Sequence, residues 1–360
     1  MIQIRRGRVL GILGERPGIK FLKVEVEGGE AKAISYDWLT GPVKVGDWVT
    51  LNTTAVHLRL GTGGWHFVIQ VGEGQELDPK TPGHIMKLRY TPLQIKVPSV
   101  EEPASPYHRI MTQHQDLDGM PVVVGTLHSQ LLPAAAAARK VQPQARIAYV
   151  MTDGACLPAP FSDTLSHLQK RGLLCGSITV GHAFGGDLEA VSIYSGLIAA
   201  RWVLKADLTI VTMGPGTVGT ATPLGSTSLE QGPILDGVSA LGGRGIALLR
   251  ISFADERPRH RGVSHHCLTA LGTLTQLPTT VVVPKLPRAM QEYIADQLKL
   301  SRIAAKHQVV EWDGDPGLEA LRAYDLQPTT MGRGIDEDRE FFLSACAAGS
   351  YAAHCLDPKE

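Results

Sequence analysis

Cysteine is scarce in this chain: five in 360 residues, scattered, odd in number and without a CxxC pair. That excludes a disulfide framework and a cysteine-rich zinc site, and it fits a reducing cytosol, so a cytoplasmic location is expected. Charge of either sign is not in excess, because Lys+Arg and Asp+Glu are both 35. Nucleic-acid and membrane-surface binding rest on a positive surplus, so neither partner is expected and a small molecule or another protein is. Long apolar runs are missing too, none reaching the roughly 18 residues of a membrane span. The opening MIQIRRGRVLGILG has arginines near a short apolar run, but no apolar stretch of signal length and no small-residue cleavage site. There is no GxSxG elbow, which argues against a serine α/β-hydrolase, and no HExxH zinc pair. A homodimer is left open by these absences.

What is present falls into three stretches. Residues 1–75 carry short alternating runs (GRVLGIL, KFLKVEV, AKAISY, GDWVTLN, HFVIQV) between turns, the pattern of a small antiparallel barrel domain. Glu27-Gly28-Gly29 suits a hairpin turn and Gly61-Thr62-Gly63-Gly64 a wider one, since glycine supplies positive φ cheaply. Residues 76–120 read as a connecting segment, with prolines at 79, 82, 92, 98, 103 and 106 that stop helices. Within it, HIMKLRYTPLQIKV fits an edge strand with Lys87 and Arg89 on one face.

From Pro121 to the end, residues 121–360, apolar strands alternate with amphipathic helices. Strands are expected at PVVVGT, RIAYVMT, GSITVG, LTIVTM, GIALLRIS and TTVVVP, with helices near 130–141, 160–172, 187–203, 228–241 and 264–276. Such alternation implies a parallel sheet covered on both faces, and right-handed crossovers make it a doubly wound, mostly parallel, Rossmann-like α/β domain. A helix near 288–299, a short strand near 307–311 and a terminal helix from about Asp336 follow. Phe341, Phe342, Ala345 and Cys346 are the docking face of that last helix.

Ligands of open parallel sheets bind beyond the carboxyl ends of the strands. Five successive loops there are polar or glycine-rich. Three of them place His128, Asp153 and His182 at strand ends, where they are the candidate catalytic set for proton transfer or metal binding. Asp187 reads first as a helix N-cap; if another residue caps that helix, Asp187 and Glu189 are placed to hold a cation, with His182. The segment Gly214-x-Gly216-x-x-Gly219 follows a strand, yet Pro223 and Gly225 interrupt the run into a helix and no acidic residue ends the next strand, which disfavours NAD. Thr220 stands where a P-loop needs lysine, which disfavours ATP. An anion cradle from Gly214, Gly216 and Thr217 survives, alongside the plainer reading of a loop that turns the chain. Ser264 suits an N-cap, which puts His265 and His266 in a first helical turn whose dipole keeps imidazoles neutral. Arg257 and Arg259 have the planar fork that grips carboxylate or phosphate. Cys156 faces either a helix N-terminus, which activates a thiol, or an inert buried site. A divalent metal cofactor is left open.

With GHIMKLRYTPLQ at 83–94, VMTDGACLPAPFS at 150–162, GHAFGGDLEA at 181–190, GPGTVGTATPLG at 214–225 and RISFADERPRHRGVSHH at 250–266, the chain resembles a bacterial family known only as a domain of unknown function. The resemblance runs nearly the full length and implies one conserved unit, with no catalytic residue to carry over. The residues themselves point to a hydrolase or group transferase acting on a small anionic, phosphorylated or nucleotide-like substrate. The alternative is a non-catalytic ligand-sensing module whose N-terminal barrel binds a partner.

Overall fold

Alternate residues along the first five strands, such as Leu22 and Val24 or Val49 and Leu51, point into one small core. These strands are β1 (Ile4–Arg16), β2 (Ile19–Val26) and β3 (Gly29–Tyr36), then, after the helical turn α1 (Asp37–Thr40), β4 (Trp48–Asn52), and after α2 (Thr54–His57), β5 (Trp65–Val71). They close in the order β1-β2-β3-β5-β4, which leaves no free edge. One pairing corrects the antiparallel expectation: Lys32, Ala33 and Ile34 of β3 run parallel to Trp65, His66 and Phe67 of β5. The connection between them holds a whole extra strand and two helical turns, long enough to bring the chain back in the same direction. At the β2–β3 turn, Glu27 and Gly28 both have positive φ, 52° and 77°, the geometry that matches hairpin twist.

The computed structural model describes residues 2–61, 63–74, 77 and 83–356, so Thr62, Pro79 and Pro82 lie outside the described residues. It divides into two units, Met1–Val97 and Pro98–Glu360. The first also contains the antiparallel pair β6 (Ile85–Lys87) and β7 (Ile95–Val97). Lys87 is only 1% exposed there, and Arg89 falls beyond the strand end, so the two do not share a strand face as expected.

In the second unit α3 (His108–Gln113) precedes the main sheet. The sheet strands are β8 (Pro121–Val124), β9 (Ile147–Thr152), β10 (Gly176–Thr179), β11 (Leu188–Glu189), β12 (Leu208–Met213) and β13 (Arg244–Leu248). A separate ribbon of β14 (Ile251–Ser252) and β15 (Gly262–Val263) comes next in sequence, before β16 (Thr280–Pro284) and β17 (Gln308–Trp312). The eight sheet strands lie in the order β11-β10-β9-β12-β8-β13-β16-β17, every pair parallel. Every residue of β8, β9, β10 and β12 is buried, as strands covered on both faces require. On one face lie α4 (Leu131–Val141), α5 (Asp163–Lys170), α11 (Asp315–Ala323) and α12 (Arg339–His354). On the other lie α6 (Ile193–Ile198), α7 (Gln231–Ala240), α8 (His265–Thr269), α9 (Arg288–Leu300) and α10 (Ile303–Lys306). The domain is therefore doubly wound, as expected.

Three expectations are corrected. The helix placed at 187–203 starts only at Ile193, because Leu188 and Glu189 join the sheet beside Ile178 and Thr179. Its cap is Ser192, which accepts from Ser195 N, and not Asp187. GIALLRIS is two strands: the sheet strand ends at Leu248 and the chain turns at Arg250 into the ribbon.

The expected docking residues Phe341, Phe342, Ala345 and Cys346 are all buried on α12. The alanine run 134–138 does more than favour helix, since all five alanines are fully buried in the core that α12 joins. A Cβ at Gly349 would strike the Ala134 backbone. Gly349→Ala is therefore expected to cost about 1–3 kcal/mol by overpacking, measured as a lower denaturation midpoint at an unchanged m-value.

Candidate functional site

Connections from neighbouring strands part company at the middle of the sheet. β8 and β9 lead to α4 and α5 on one face, while β12, which lies between them, and β13 lead to α7 and α8 on the other. Diverging connections leave a crevice outside the carboxyl ends of these strands. The loops after β8, β9, β12 and β13 line it.

Asp153 follows β9. Its Oδ2 accepts from the backbone N–H of His182 at 2.9 Å, so two members of the expected catalytic set meet, through the amide and not through the imidazole. A carboxyl that sequence reasoning did not single out lies beside Asp153. Glu230 ends the 3₁₀ turn Thr227–Glu230 that leads into α7, and Thr152 Oγ1 donates to its Oε1 at 2.5 Å. Burial, reinforced by the Asp153 carboxylate and opposed by the Thr152 bond, raises the Glu230 pKa to about 7. A carboxyl divided between its two forms near neutral pH can both give and take a proton.

His128 is placed differently. It is buried, its Nε2 lies 2.6 Å from Ser162 Oγ, and its Nδ1 lies 3.2 Å from both the Met213 carbonyl and Tyr149 Oη. Ser162 already accepts from Leu165 N as the cap of α5. Its own hydrogen therefore goes to His128 Nε2, and the ring donates from Nδ1 to Met213. Burial holds this neutral imidazole down to about 4. His128 thus ties β12 to α5, and no bond joins it to Asp153 or His182.

Cys156 N donates to the Pro215 carbonyl at 2.9 Å, stitching the β9 loop to the glycine loop. Burial pushes its thiol up to about 12, so the inert reading holds. Iodoacetamide near pH 8 is expected to leave Cys156 unmodified in the folded chain and to label it after unfolding, by peptide mass spectrometry.

The glycine loop does not run into a helix, since the 3₁₀ turn intervenes before α7. Gly214 and Gly216 are followed by Thr217, whose hydroxyl lies 3.2 Å from Thr227 Oγ1 and 3.0 Å from Ser228 Oγ. A Cβ on Gly219 would come within 3.2 Å of the His266 ring, close enough that the ring would have to give by a few tenths of an ångström. As expected, Ser264 caps α8, accepting from His266 N. His265 and His266 pack with His260, ring centroids 4.0, 5.2 and 5.4 Å apart. His260 Nδ1 lies 2.9 Å from Ser264 Oγ, and His266 Nδ1 lies 3.4 Å from Ser226 Oγ. The Nε2 atoms of His265 and His266 are buried without a hydrogen-bond partner.

All three imidazoles are held neutral, His266 at about 4, His260 at about 3 and His265 below its ordinary value. Burial is the chief cause, followed by like charge from Arg250 and Arg257 at all three, from Arg259 at His265 and His266, and between His260, His265 and His266 themselves, in place of the helix end expected from sequence. Of the expected clamp, Arg257 grips Asp255 through Nε at 2.8 Å and Nη2 at 2.7 Å, while Arg259 is exposed. Arg250 shares Asp255 at 2.9 Å, and Arg333 binds Asp338 at 2.9 Å.

Asp187 accepts from Ser177 N and Oγ and from Gln169 Nε2, and Glu189 from Thr179 Oγ1 and Gly185 N. Among the described residues no group of three or more His, Cys, Asp or Glu is arranged to hold a metal ion. A cavity of about 460 Å³ opens at the opposite, amino edge of the sheet, with Asp118, Arg201, Asp207 and Arg244 in its lining.

No helix among the described residues is long and apolar enough to cross a membrane. Comparison with curated proteins gives no match. A family model described as protein of unknown function (DUF3866) matches residues 32–349, and the chain belongs to that family.

Proposed function

We propose that the chain is an enzyme, a hydrolase or group transferase, that binds a small anionic substrate at the carboxyl edge of its parallel sheet. Glu230 moves the proton, with Asp153 beside it, and His265, His266 and the glycine loop hold the negative charge. The observation that carries this reading is a convergence. The short turn that ends at Glu230, against Thr152 and the Asp153 loop, follows directly on Ser226, which meets His266. Proton transfer and anion binding thus share one crevice, the arrangement acid/base-assisted hydrolysis needs.

A panel of phosphorylated and carboxylated metabolites, screened by thermal shift and then for product, tests it. The expected result is a compound that raises the melting temperature and is converted by the parent protein, while Glu230→Gln is stabilised by it without converting it. A compound that stabilises both equally and is converted by neither favours the second reading, a sensing module. That reading draws on the barrel face, where Arg6 lies 4.8 Å over the ring of the exposed Trp48, a surface suited to a partner.

A further inference from the structure

We propose that the anion held by His260, His265 and His266 is a tetrahedral dianion, of the phosphomonoester kind, and that it enters the crevice together with one proton. This rests on the reading of the carboxyl edge as an anion site, and it names what the anion is. The hydrogen-bond pattern is the first support. Ser226 Oγ accepts from Ser228 N at 3.2 Å and lies 3.4 Å from His266 Nδ1; with its own hydrogen donated to that nitrogen, the neutral ring carries its hydrogen on Nε2. That Nε2 belongs to a side chain 7% exposed, faces Gly219 and has no acceptor, and His265 Nε2 has none either. Two buried imidazole nitrogens without partners, beside a loop that presents no side chain at Gly219, leave places for the oxygens of a ligand.

Charge sets the valence. Between residues 250 and 266 stand four arginines (Arg250, Arg257, Arg259, Arg261) and two acids (Asp255, Glu256), a surplus of two. The adjacent Arg333 and Asp338 pair with each other and cancel. A carboxylate would neutralise half of the surplus, and a dianion matches it. The proton follows from the same field. Burial first, and after it the charge of Arg250 and Arg257, keeps the His260 and His266 rings neutral; a dianion seated among them offsets the charge part and gives the ring proton a counter-charge, which favours the imidazolium. Asp255 is the acid whose charge reaches the cluster, at His260; the buried thiol of Cys267, next to His266 on α8, is turned to Arg250 N and Thr126 Oγ1, and Glu230 ends the turn that follows Ser226.

Calorimetric titration of the full chain tests this, with sulfate, inorganic phosphate and acetate as probes. Sulfate keeps its double charge across the range. Its affinity is expected to rise by up to about tenfold for each unit the pH falls between about 7.5 and 5.5, with close to one proton taken up per ion. The uptake is read from the dependence of the heat on the buffer's ionisation enthalpy. Acetate is expected to bind at least about tenfold more weakly, without uptake. Glu230→Gln is expected to retain the uptake and His266→Asn to lose it; should His266→Asn fail to fold, the buffer series on the unaltered protein decides. Sulfate binding that is flat with pH and takes up no proton overturns this inference and leaves the anion site standing. Acetate binding as tightly as sulfate also overturns it. If none of the three binds at any pH, the anion site itself falls.

Discussion

Replacing Glu230 by Gln is expected to lower kcat by about 10²–10⁴-fold, the range for a positioned acid/base group, while the folded structure persists. Gln keeps the shape and the Thr152 contact but cannot exchange a proton. The stability response has a definite sign. Glu230 has its pKa raised from 4.5 to about 7 in the folded chain. Between those values the folded state holds a proton that the unfolded state has released, so this group's contribution to stability falls as pH rises through the window. The melting temperature of Glu230→Gln, relative to the parent, is therefore expected to improve from about pH 5 to about pH 8. A variant that loses activity only because it unfolds would melt far below the parent at every pH in the window.

The largest loss of stability is expected at Asp255. Its carboxylate, 6% exposed, receives Arg250 and a two-point grip from Arg257, with Arg333 Nη2 at 3.9 Å. Asp255→Asn leaves the guanidinium of Arg250 buried without its counter-charge, a change that costs about 3–5 kcal/mol. It is read as a lower denaturation midpoint, and anion binding is expected to weaken with it, since the ribbon that carries Arg257 and Arg259 is tied down through Asp255. The hydrogen bonds and charge of Arg257, with the charge of Arg250, hold the Asp255 carboxyl far below the ordinary carboxylate range. Its stabilisation is thus complete above that range and is lost as pH falls through it.

The parallel sheet was legible because its central strands are buried on both faces and so read as unbroken apolar runs, LTIVTM and RIAYVMT among them. The edge strand β11 was not, because only Leu188 and Glu189 pair with β10, too few for any periodicity to register. Asp187 has the residue type of a helix cap, and only the tertiary fold reveals that its carboxylate serves Ser177 instead. The capping of α8 by Ser264 is local and was legible. Glu230 illustrates the opposite case. In sequence it is an ordinary acid ahead of a helix, and its raised pKa comes first from burial and then from the charge of Asp153, nearly eighty residues away, against the opposing bond from Thr152. His128 was expected at the end of a strand, where it stands, but its orientation depends on Ser162 and Met213, which a strand-and-helix pattern does not pair.

The most direct measurement is a crystal structure of the protein soaked in selenate or tungstate, with the anion located by its anomalous signal. The expected result is a peak about 4 Å from His266 Nε2, which puts one of the anion's oxygens at hydrogen-bond distance from that nitrogen, between Gly219 and the Glu230 turn. A peak found only in the cavity beside Arg201 and Arg244, at the other edge of the sheet, would contradict the account.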